Sequence, residues 1–570
     1  MPTDRETLAA EIDDIASALA RSAEADDRRA VAGRLDALRA RWREEPDLFP
    51  PGAVERLRAV ASTLQAAESA ARPDPHAVLK DVFGHDGFRP GQQEIVSAVL
   101  SRRDCIGVMP TGAGKSLTYQ IPARILGGTT LVVSPLIALM KDQVDAMAKV
   151  GLRAAFLNST LSAEERRDRV RALRRGEIEL LYAAPEGLEA SVGGALEGTR
   201  LALIAVDEAH CISHWGHDFR PAYRNLAGLK ERYGAPVLAL TATATPEVTR
   251  DIAGQLGMRD PLVVRGSFFR PNLRLHAVKK GEGLGARDAI VRLVRARRGE
   301  SGIVYALSRK SVEDTAELLR SHGVRADAYH AGLEPEVRAR VQDDFQEGAL
   351  DVVVATVAFG MGIDKPDIRF VLHRDLPRSI ESYYQEIGRA GRDGAPSDCV
   401  LLYSWADVMS WERLLGDADP EIAAAQKRQA RAVYRLAEAD GCRHERLVGH
   451  FGERIEPCRD ACDRCTEEDL LSALPAAPRR GRSRRGARPA APPAAGLDGS
   501  LLDALRAWRG RTARARGVPA YVVFSDATLV EIAASRPATD EALLDVKGVG
   551  PRKLSDYGED VLALVRSAAG

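Results

Sequence analysis

The chain reads as an α/β protein: two parallel-sheet lobes in tandem, then a helical metal-binding segment and a small all-α domain, with a helical extension in front. Three observations predict this. Short apolar strands alternate with helical stretches in two successive runs, the pattern of parallel α/β sheets. A glycine-rich loop, MPTGAGKS at Met109–Ser116, falls between an early strand and a helix. Four cysteines, Cys442, Cys458, Cys462 and Cys465, cluster late in an otherwise cysteine-poor chain.

Residues 1–72 read as amphipathic helices. Leu8, Ile12, Ile15 and Leu19 share one face; Val31, Leu35, Leu38 and Trp42 repeat the spacing, and Leu57, Val60 and Leu64 begin a third stretch beyond Pro46, Pro50 and Pro51. This fits a helical bundle or adaptor and carries no evident chemistry. From 73 to 267 the strand candidates are CIGVM, TLVVS, ELLYA, LALIAVDE and PVLALTA. From 268 to 405 they are GIVYAL, ADAYH, DVVVAT, IRFVLH and CVLLY, with no phosphate loop. Two lobes with one phosphate loop predict a nucleotide held in a cleft between them. Residues 406–471 form the cysteine-bearing segment, 472–497 an Arg/Pro/Ala tether expected to be disordered, and 498–570 a compact helical domain ending near VKGVGPRK.

Bulk composition is that of a globular protein, 45% hydrophobic and 28% charged. No apolar run approaches the ~18 residues that span a bilayer, and MPTDRETLAAEIDD is too acidic for a signal or transit peptide. A cytoplasmic location is the default expectation. Formal net charge is zero, so any affinity for a polyanion must be local, most densely in RRGRSRRGAR at Arg479–Arg488. These charges could neutralise phosphates without regard to base sequence.

In the glycine-rich loop, Thr111, Gly112, Ala113 and Gly114 let the backbone approach anionic oxygens at a helix N-terminus. Lys115 should reach terminal phosphates and Ser116 should ligate magnesium. Asp207 and Glu208 end the strand LALIAV; the first is the candidate magnesium ligand and the second the base for an attacking water, with His210 close behind. The bland alternatives are a tight turn with a chance lysine and a solvated strand end. In the second lobe, QEIGRAGRDG supplies Gln385, Arg389 and Arg392. On a helix the two arginines, three apart, would share a face, and an arginine finger is worth about 10³–10⁵ in rate; a salt-bridged pair at a domain face is the alternative. The spacing Cys442-x15-Cys458-x3-Cys462-x2-Cys465 suits a structural zinc ion, with a redox switch as the rival.

Taken together, MPTGAGKS, SPLIALMKDQ, DEAHCISHWGHDFRP, TATAT, ATVAFGMGIDKPDIRFVLH and SYYQEIGRAGRDG resemble the RecQ family of superfamily 2 DNA helicases over about residues 76–470. The resemblance implies two RecA-like lobes, use of ATP and magnesium, and 3′ to 5′ movement on single-stranded DNA. It also implies unwinding of duplex or branched DNA in recombination, repair and replication, an enzyme that is both hydrolase and isomerase. By position it places Arg89 and Gln92 on the adenine, with His85 where an aromatic normally stacks. Thr241 and Thr243 match the segment linking ATP to the lobe interface, and Gly360 and Asp364 the ribose- and phosphate-proximal motif. Trp215 and Phe219 become candidates for stacking on DNA bases, worth about 1–3 kcal/mol each, and Arg220 a phosphate contact. An internal hydrophobic turn is the other reading of Phe219. The three-residue gap after Cys458 departs from the family's tighter spacing.

The closing block resembles an HRDC domain, in which Lys547, Arg552 and Lys553 would flank a phosphate-binding turn and Tyr557 would stack on a base; a protein-contact module is the alternative. The family usually places a winged helix between zinc segment and HRDC. Only Thr466–Gly499 separates them here, so that domain is expected to be absent. Implied partners are single-stranded and branched DNA, single-strand-binding protein and other repair factors, near the nucleoid. Two rivals stay open: an ATP-gated clamp or DNA-stimulated ATPase that unwinds poorly, and an RNA helicase.

Overall fold

The computed structural model describes residues 4–21, 25–70, 72–135, 137–188, 192–213, 218–281, 285–359, 365–415, 420–468, 470, 499–516, 518 and 520–568. It falls into two compact units, Met1–Arg270 with Val448–Arg454, and Pro271–Leu447 with Ile455–Gly570.

In the first unit, helices Asp4–Arg21, Ala25–Glu44 and Ala53–Ala70 pack on one another. Their core is Leu8, Ile12, Ile15, Leu19, Val31, Leu35, Leu38, Leu57, Val60 and Leu64, the residues that the helical spacing puts on shared faces. Trp42 departs from that expectation. It is 38% exposed, and Phe49, from the turn after the second helix, enters the core instead.

The same unit holds a seven-stranded, all-parallel sheet: β1 Cys105–Val108, β2 Thr129–Val133, β3 Ala154–Leu157, β4 Leu180–Ala183, β5 Leu201–Val206, β6 Val237–Thr241 and β7 Leu262–Arg265, ordered β3-β4-β2-β5-β6-β1-β7. β1, β2, β4, β5 and β6 are buried along their whole length, which is why they read as unbroken apolar runs. Residues 448–454 also pack here. The Phe451 ring stacks on Phe268 at 4.4 Å, and the Glu453 carboxylate accepts hydrogen bonds from Ser267 Oγ and the Phe268 N–H, each at 2.6 Å.

In the second unit, β8 Leu273–Lys279, β9 Ser301–Tyr305, β10 Ala326–Tyr329, β11 Val352–Ala355, β12 Ile368–His373 and β13 Ser397–Tyr403 form a parallel sheet ordered β10-β11-β9-β12-β13-β8. The strands the sequence did not announce, β3, β7 and β8, are all edge strands. Edges bury one face only, so AAFL, LVVR and LRLHAVK carry broken apolar patterns. The β8 edge is covered by the cysteine-bearing segment. The Leu275 N–H donates to the Ala461 carbonyl at 3.0 Å, and the Ala277 N–H to Asp463 Oδ2 at 3.0 Å. His444 Nε2 lies 2.9 and 3.1 Å from the Leu273 and Ala461 carbonyls, which makes it the protonated ring nitrogen. Asp463 also pairs with Arg443.

The last helices, from Gly499 to Ser567, enclose a separate core around Leu505, Trp508, Phe524, Ile532, Tyr557 and Val561. The tether 472–497 lies outside the described residues.

Leu35→Ala should remove about 2–5 kcal/mol from the N-terminal bundle. Because that core is separate from the sheet's, the expected result is early proteolytic cutting ahead of residue 72 with the thermal unfolding of the sheet unchanged. Unfolding of the sheet at the same lowered temperature as the bundle would refute that independence.

Candidate active site

All strands of the first sheet run parallel, so the loops that follow β1, β5 and β6 gather at one edge. Two hydrogen bonds fix the register at that edge, one between the ends of β1 and β6 and one between the ends of β5 and β2. The Met109 N–H donates to the Thr241 carbonyl at 2.9 Å, and the Asp207 N–H to the Val133 carbonyl at 2.8 Å.

The phosphate loop passes from β1 into helix Leu117–Leu126. Gly112 and Gly114 take φ of +83° and +74°, which side-chain-bearing residues resist. A Cβ on Gly114 would also stand 2.6 Å from Gln92 Nε2. Gln92 is almost wholly buried, and its amide donates to the Ala113 and Gly114 carbonyls at 2.9 and 3.0 Å. Its own carbonyl accepts the Arg89 N–H at 2.8 Å, and the Arg89 guanidinium bonds the Gly112 carbonyl. The two side chains expected on an adenine therefore brace the phosphate loop, a role the resemblance did not suggest. His85 is exposed. Lys115 Nζ donates to the Met109 carbonyl at 3.3 Å, while Thr111, Ala113 and Ser116 are half-buried around it.

Asp207 and Glu208 stand beyond β5. Glu208 has φ +47° and ψ +44°, a left-handed conformation that L residues avoid, and it turns the chain sharply into Ala209–Ile212. Tyr223, which sequence reasoning missed, donates its hydroxyl to the Asp207 carbonyl at 2.9 Å and braces this turn. Burial first, then the Glu208 carboxylate beside it, pushes Asp207 up to about 7, against the pull of the Lys115 ammonium. Glu208 Oε2 is buried and accepts no hydrogen bond; His210 Nδ1 lies 3.4 Å away. That nitrogen is 2.9 Å from Thr241 Oγ1. Thr241 Oγ1 donates its only proton to the Thr243 carbonyl at 3.1 Å and accepts the Thr243 N–H at 3.1 Å. His210 Nδ1 must then be the donor, so the imidazole carries its proton on the side facing Glu208 and Thr241. Acid turn, histidine and threonine loop form one connected chain.

Of the expected DNA contacts, Trp215 lies outside the described residues. Phe219 is half-buried with the Arg224 guanidinium 5.4 Å from its ring centre, and Arg220 pairs with Asp218 at 3.3 Å. In the second lobe Gly360 and Asp364 lie outside the described residues. Gln385 is on helix Ile380–Ile387, but Arg389 and Arg392 are not helical as the sequence suggested. The helix stops at Gly388, and Gly391, with φ +56°, continues as a turn packed so tightly on Asn272 and Ala395 that a Cβ would clash. Both arginines are half-buried there, and Arg389 hydrogen-bonds the buried Tyr305 hydroxyl. His373 Nε2, 2.7 Å from Glu386 Oε2, stacks on Tyr305.

The four sulfurs of Cys442, Cys458, Cys462 and Cys465 all lie within 4.8 Å of one another. Zinc–sulfur bonds of about 2.3 Å in a tetrahedron require sulfurs about 3.8 Å apart, and Cys458 and Cys465 Sγ are 3.7 Å apart. The donor set fits zinc. The Cys458 N–H also donates to Cys442 Sγ at 3.2 Å, the kind of outer bond that orients a thiolate ligand. The extra residue in the Cys458–Cys462 gap is taken up by a γ-turn: Arg459 has φ +66° and the Asp460 N–H reaches the Cys458 carbonyl at 2.8 Å.

In the C-terminal helical domain Lys547 and Arg552 are exposed and Lys553 is half-buried over Phe524. Tyr557 corrects an expectation. It is 7% exposed, packed on Trp508 and Phe524, with Arg516 bonded to its hydroxyl at 3.0 Å. Its ring completes a core and is not available to stack on a base.

Comparison with known proteins matches residues 89–252 to the DEAD/DEAH box helicase family and 285–394 to the helicase conserved C-terminal domain. Residues 405–466 match the RecQ zinc-binding family and 498–565 the HRDC domain. An ATP-dependent DNA helicase RecQ of Haemophilus influenzae is 37% identical, covering 87% of this chain and 96% of its own. One from Bacillus subtilis is 37% identical over 86% of this chain and 98% of its own. A third, from Pasteurella multocida, is 47% identical over 68% and 62%. Among solved structures, the DUF1998 helicase MrfA bound to DNA and AMPPNP has a TM-score of 0.50 at 18% identity, over 68% of this chain and 58% of that one, a likeness of fold alone.

Were Asp207, pushed up to about 7, the magnesium ligand that its position suggests, magnesium nucleotide should bind about tenfold more weakly for each pH unit below that point. The same raised value means that this group's contribution to stability is present at low pH and lost as pH rises through 7. Calorimetric ADP–magnesium affinities at pH 6 and pH 8, wild type against Asp207→Asn, check this; parallel profiles would refute it. Cys462→Ser should reduce bound zinc measured by atomic absorption and, by loosening the cover on β8, promote aggregation.

Proposed function

The chain belongs to the RecQ family and is an ATP-dependent DNA helicase, and from that premise we propose that Glu208 is the base that orients water for ATP hydrolysis. The observation that carries this reading is a buried carboxylate oxygen without a hydrogen bond, next to the raised Asp207 and 3.4 Å from a protonated ring nitrogen. Buried polar atoms are nearly always satisfied. An oxygen left open at the C-terminal edge of a parallel sheet suits a transient partner such as water.

In this reading the Thr111–Ser116 backbone cradles the phosphates, and Lys115 leaves the Met109 carbonyl to meet them. Ser116 and Asp207 would hold magnesium, which neutralises phosphate charge. Arg89 and Gln92, freed from the loop's carbonyls, would turn to the adenine beside His85. Gln385, Arg389 and Arg392 would supply the second lobe's charge stabilisation, with Gly360 and Asp364 on ribose and phosphate. His210 passes the state of Glu208 to Thr241 and Thr243, and so toward the segment carrying Trp215, Phe219 and Arg220.

The finer assignments are part of the same proposal: movement 3′ to 5′, unwinding of branched DNA, a place in recombination, repair or replication, work with single-strand-binding protein, and a cytoplasmic, nucleoid-associated location. A winged helix is absent in this reading. Two alignments support that. The first takes 601 positions to pass 87% of 570 residues and the second 585 to pass 86%, so about a hundred positions of each relative face no residue here, the size of a small domain. The clamp reading gains no support from relatives that are helicases.

Glu208→Gln should lower the rate of ATP hydrolysis about 10²–10⁴-fold while nucleotide affinity changes little. His210→Ala should instead preserve much of the basal rate and lose stimulation by single strands. Steady-state hydrolysis with and without DNA, beside release of a strand from forks with 3′ or 5′ tails, tests both; a Glu208→Gln enzyme of near-normal rate would end the assignment.

A further inference from the structure

A second concave site lies in the first lobe, at the opposite end of the sheet from the phosphate loop. It is a cavity of about 380 Å³ lined by Arg102, Arg103, Asp104, Lys230, Gly234, Ala235, Pro236 and Arg259. β1 leads from Asp104 to the phosphate loop and β6 from Pro236 to Thr241, so at about 3.3 Å per residue some 13 Å of strand separates the two sites. Four cationic side chains line the cavity against one carboxylate, in a chain whose formal net charge is zero.

That carboxylate already holds three donors. Asp104 accepts the Val237 N–H at 3.0 Å, the Arg259 N–H at 3.1 Å and the Lys230 ammonium. It therefore builds the floor and offsets Lys230, while Arg102 donates to the Gly234 carbonyl at 3.0 Å, leaving Arg103 and Arg259 as the cavity's excess charge. Among the described residues the Arg259 guanidinium has no ion-pair or hydrogen-bond partner. Arg103 meets only Asp260, at 3.5 Å, whose side chain is almost fully exposed. Arg102 occupies a position where glycine is favoured. Helix Gln92–Leu100 ends in a Schellman turn, with the Arg102 N–H on the Val99 carbonyl and the Arg103 N–H on the Ala98 carbonyl, both at 2.9 Å. Arg102 is its left-handed residue, φ +59°; the matching turn after helix Pro246–Gln255 uses Gly257. The turn thus tolerates backbone strain while presenting two adjacent arginines to the cavity.

We propose that this cavity binds a phosphate anion, independently of the nucleotide site. Guanidinium groups match phosphate oxygens in bidentate geometry, and a pocket of this volume admits a diphosphate or two successive phosphates of a strand. The shared chemistry is phosphate; its source is either a free polyphosphate or the DNA backbone.

The test uses the full chain with ADP and magnesium saturating the nucleotide site. Inorganic pyrophosphate titrated by calorimetry should bind with one equivalent, and Arg103→Ala/Arg259→Ala should weaken it at least tenfold. Both side chains are exposed, and the single variants Arg103→Gln and Arg259→Gln guard against any loss of folding. In parallel, duplex affinity is measured against salt by anisotropy. If pyrophosphate binding is lost and the salt slope is unchanged, a free polyphosphate is the ligand. If the slope also falls by about 1.8, the equivalent of two phosphate contacts, the strand backbone is. Unaltered pyrophosphate binding and an unaltered salt slope in the double variant would overturn the proposal.

Discussion

Parallel pairing of β1, β5 and β6 is the constraint on which the chemistry of the first lobe depends. In a parallel sheet every strand delivers its C-terminal end to the same edge, so loops far apart in sequence meet without further design. The phosphate loop, the acid pair and the Thr241 loop converge for that reason, and the Met109–Thr241 hydrogen bond pins two of them together. Full burial of these strands makes the edge rigid. A site built on it can hold strained or unsatisfied groups that a surface loop would relax.

Two such groups are present. Glu208 is bent into the left-handed region and keeps a carboxylate oxygen without a hydrogen bond, and Asp207 beside it resists ionisation. Each is unfavourable alone. In the proposed role a dication at Asp207 and a positioned water at Glu208 would relieve both, so that binding energy is realised where charge develops. His210, 3.4 Å from Glu208 and hydrogen-bonded to Thr241 through a tautomer that Thr243 dictates, sets the acid turn beside the next loop.

The second lobe meets a different constraint. Its edge strand β8 would expose unpaired backbone, and the cysteine segment closes it with the Leu275–Ala461 bond and the Asp463 side chain. Zinc held by the four cysteines would fix the Cys458–Cys465 loop beneath that cover, a contribution to folding.

The sequence by itself determined what local pattern and covalent spacing control: central buried strands, the glycine positions of the phosphate loop, the four-cysteine set and three helices of the N-terminal bundle. Those features depend on residues near one another in the chain, or on spacing that only one chemistry uses. The tertiary structure decided the rest. Three of the four edge strands, β3, β7 and β8, escaped notice because half their surface faces water. Trp42 kept the helical spacing but lost the core to Phe49, and Tyr557 looked like a stacking residue until Trp508 and Phe524 closed over it. Arg389 and Arg392 left the helix because Gly391 must fit against Asn272, a neighbour more than a hundred residues away. Gln92 turned inward because its amide could satisfy three backbone partners at once. Packing between distant segments settled each of these, and no local rule could have anticipated it.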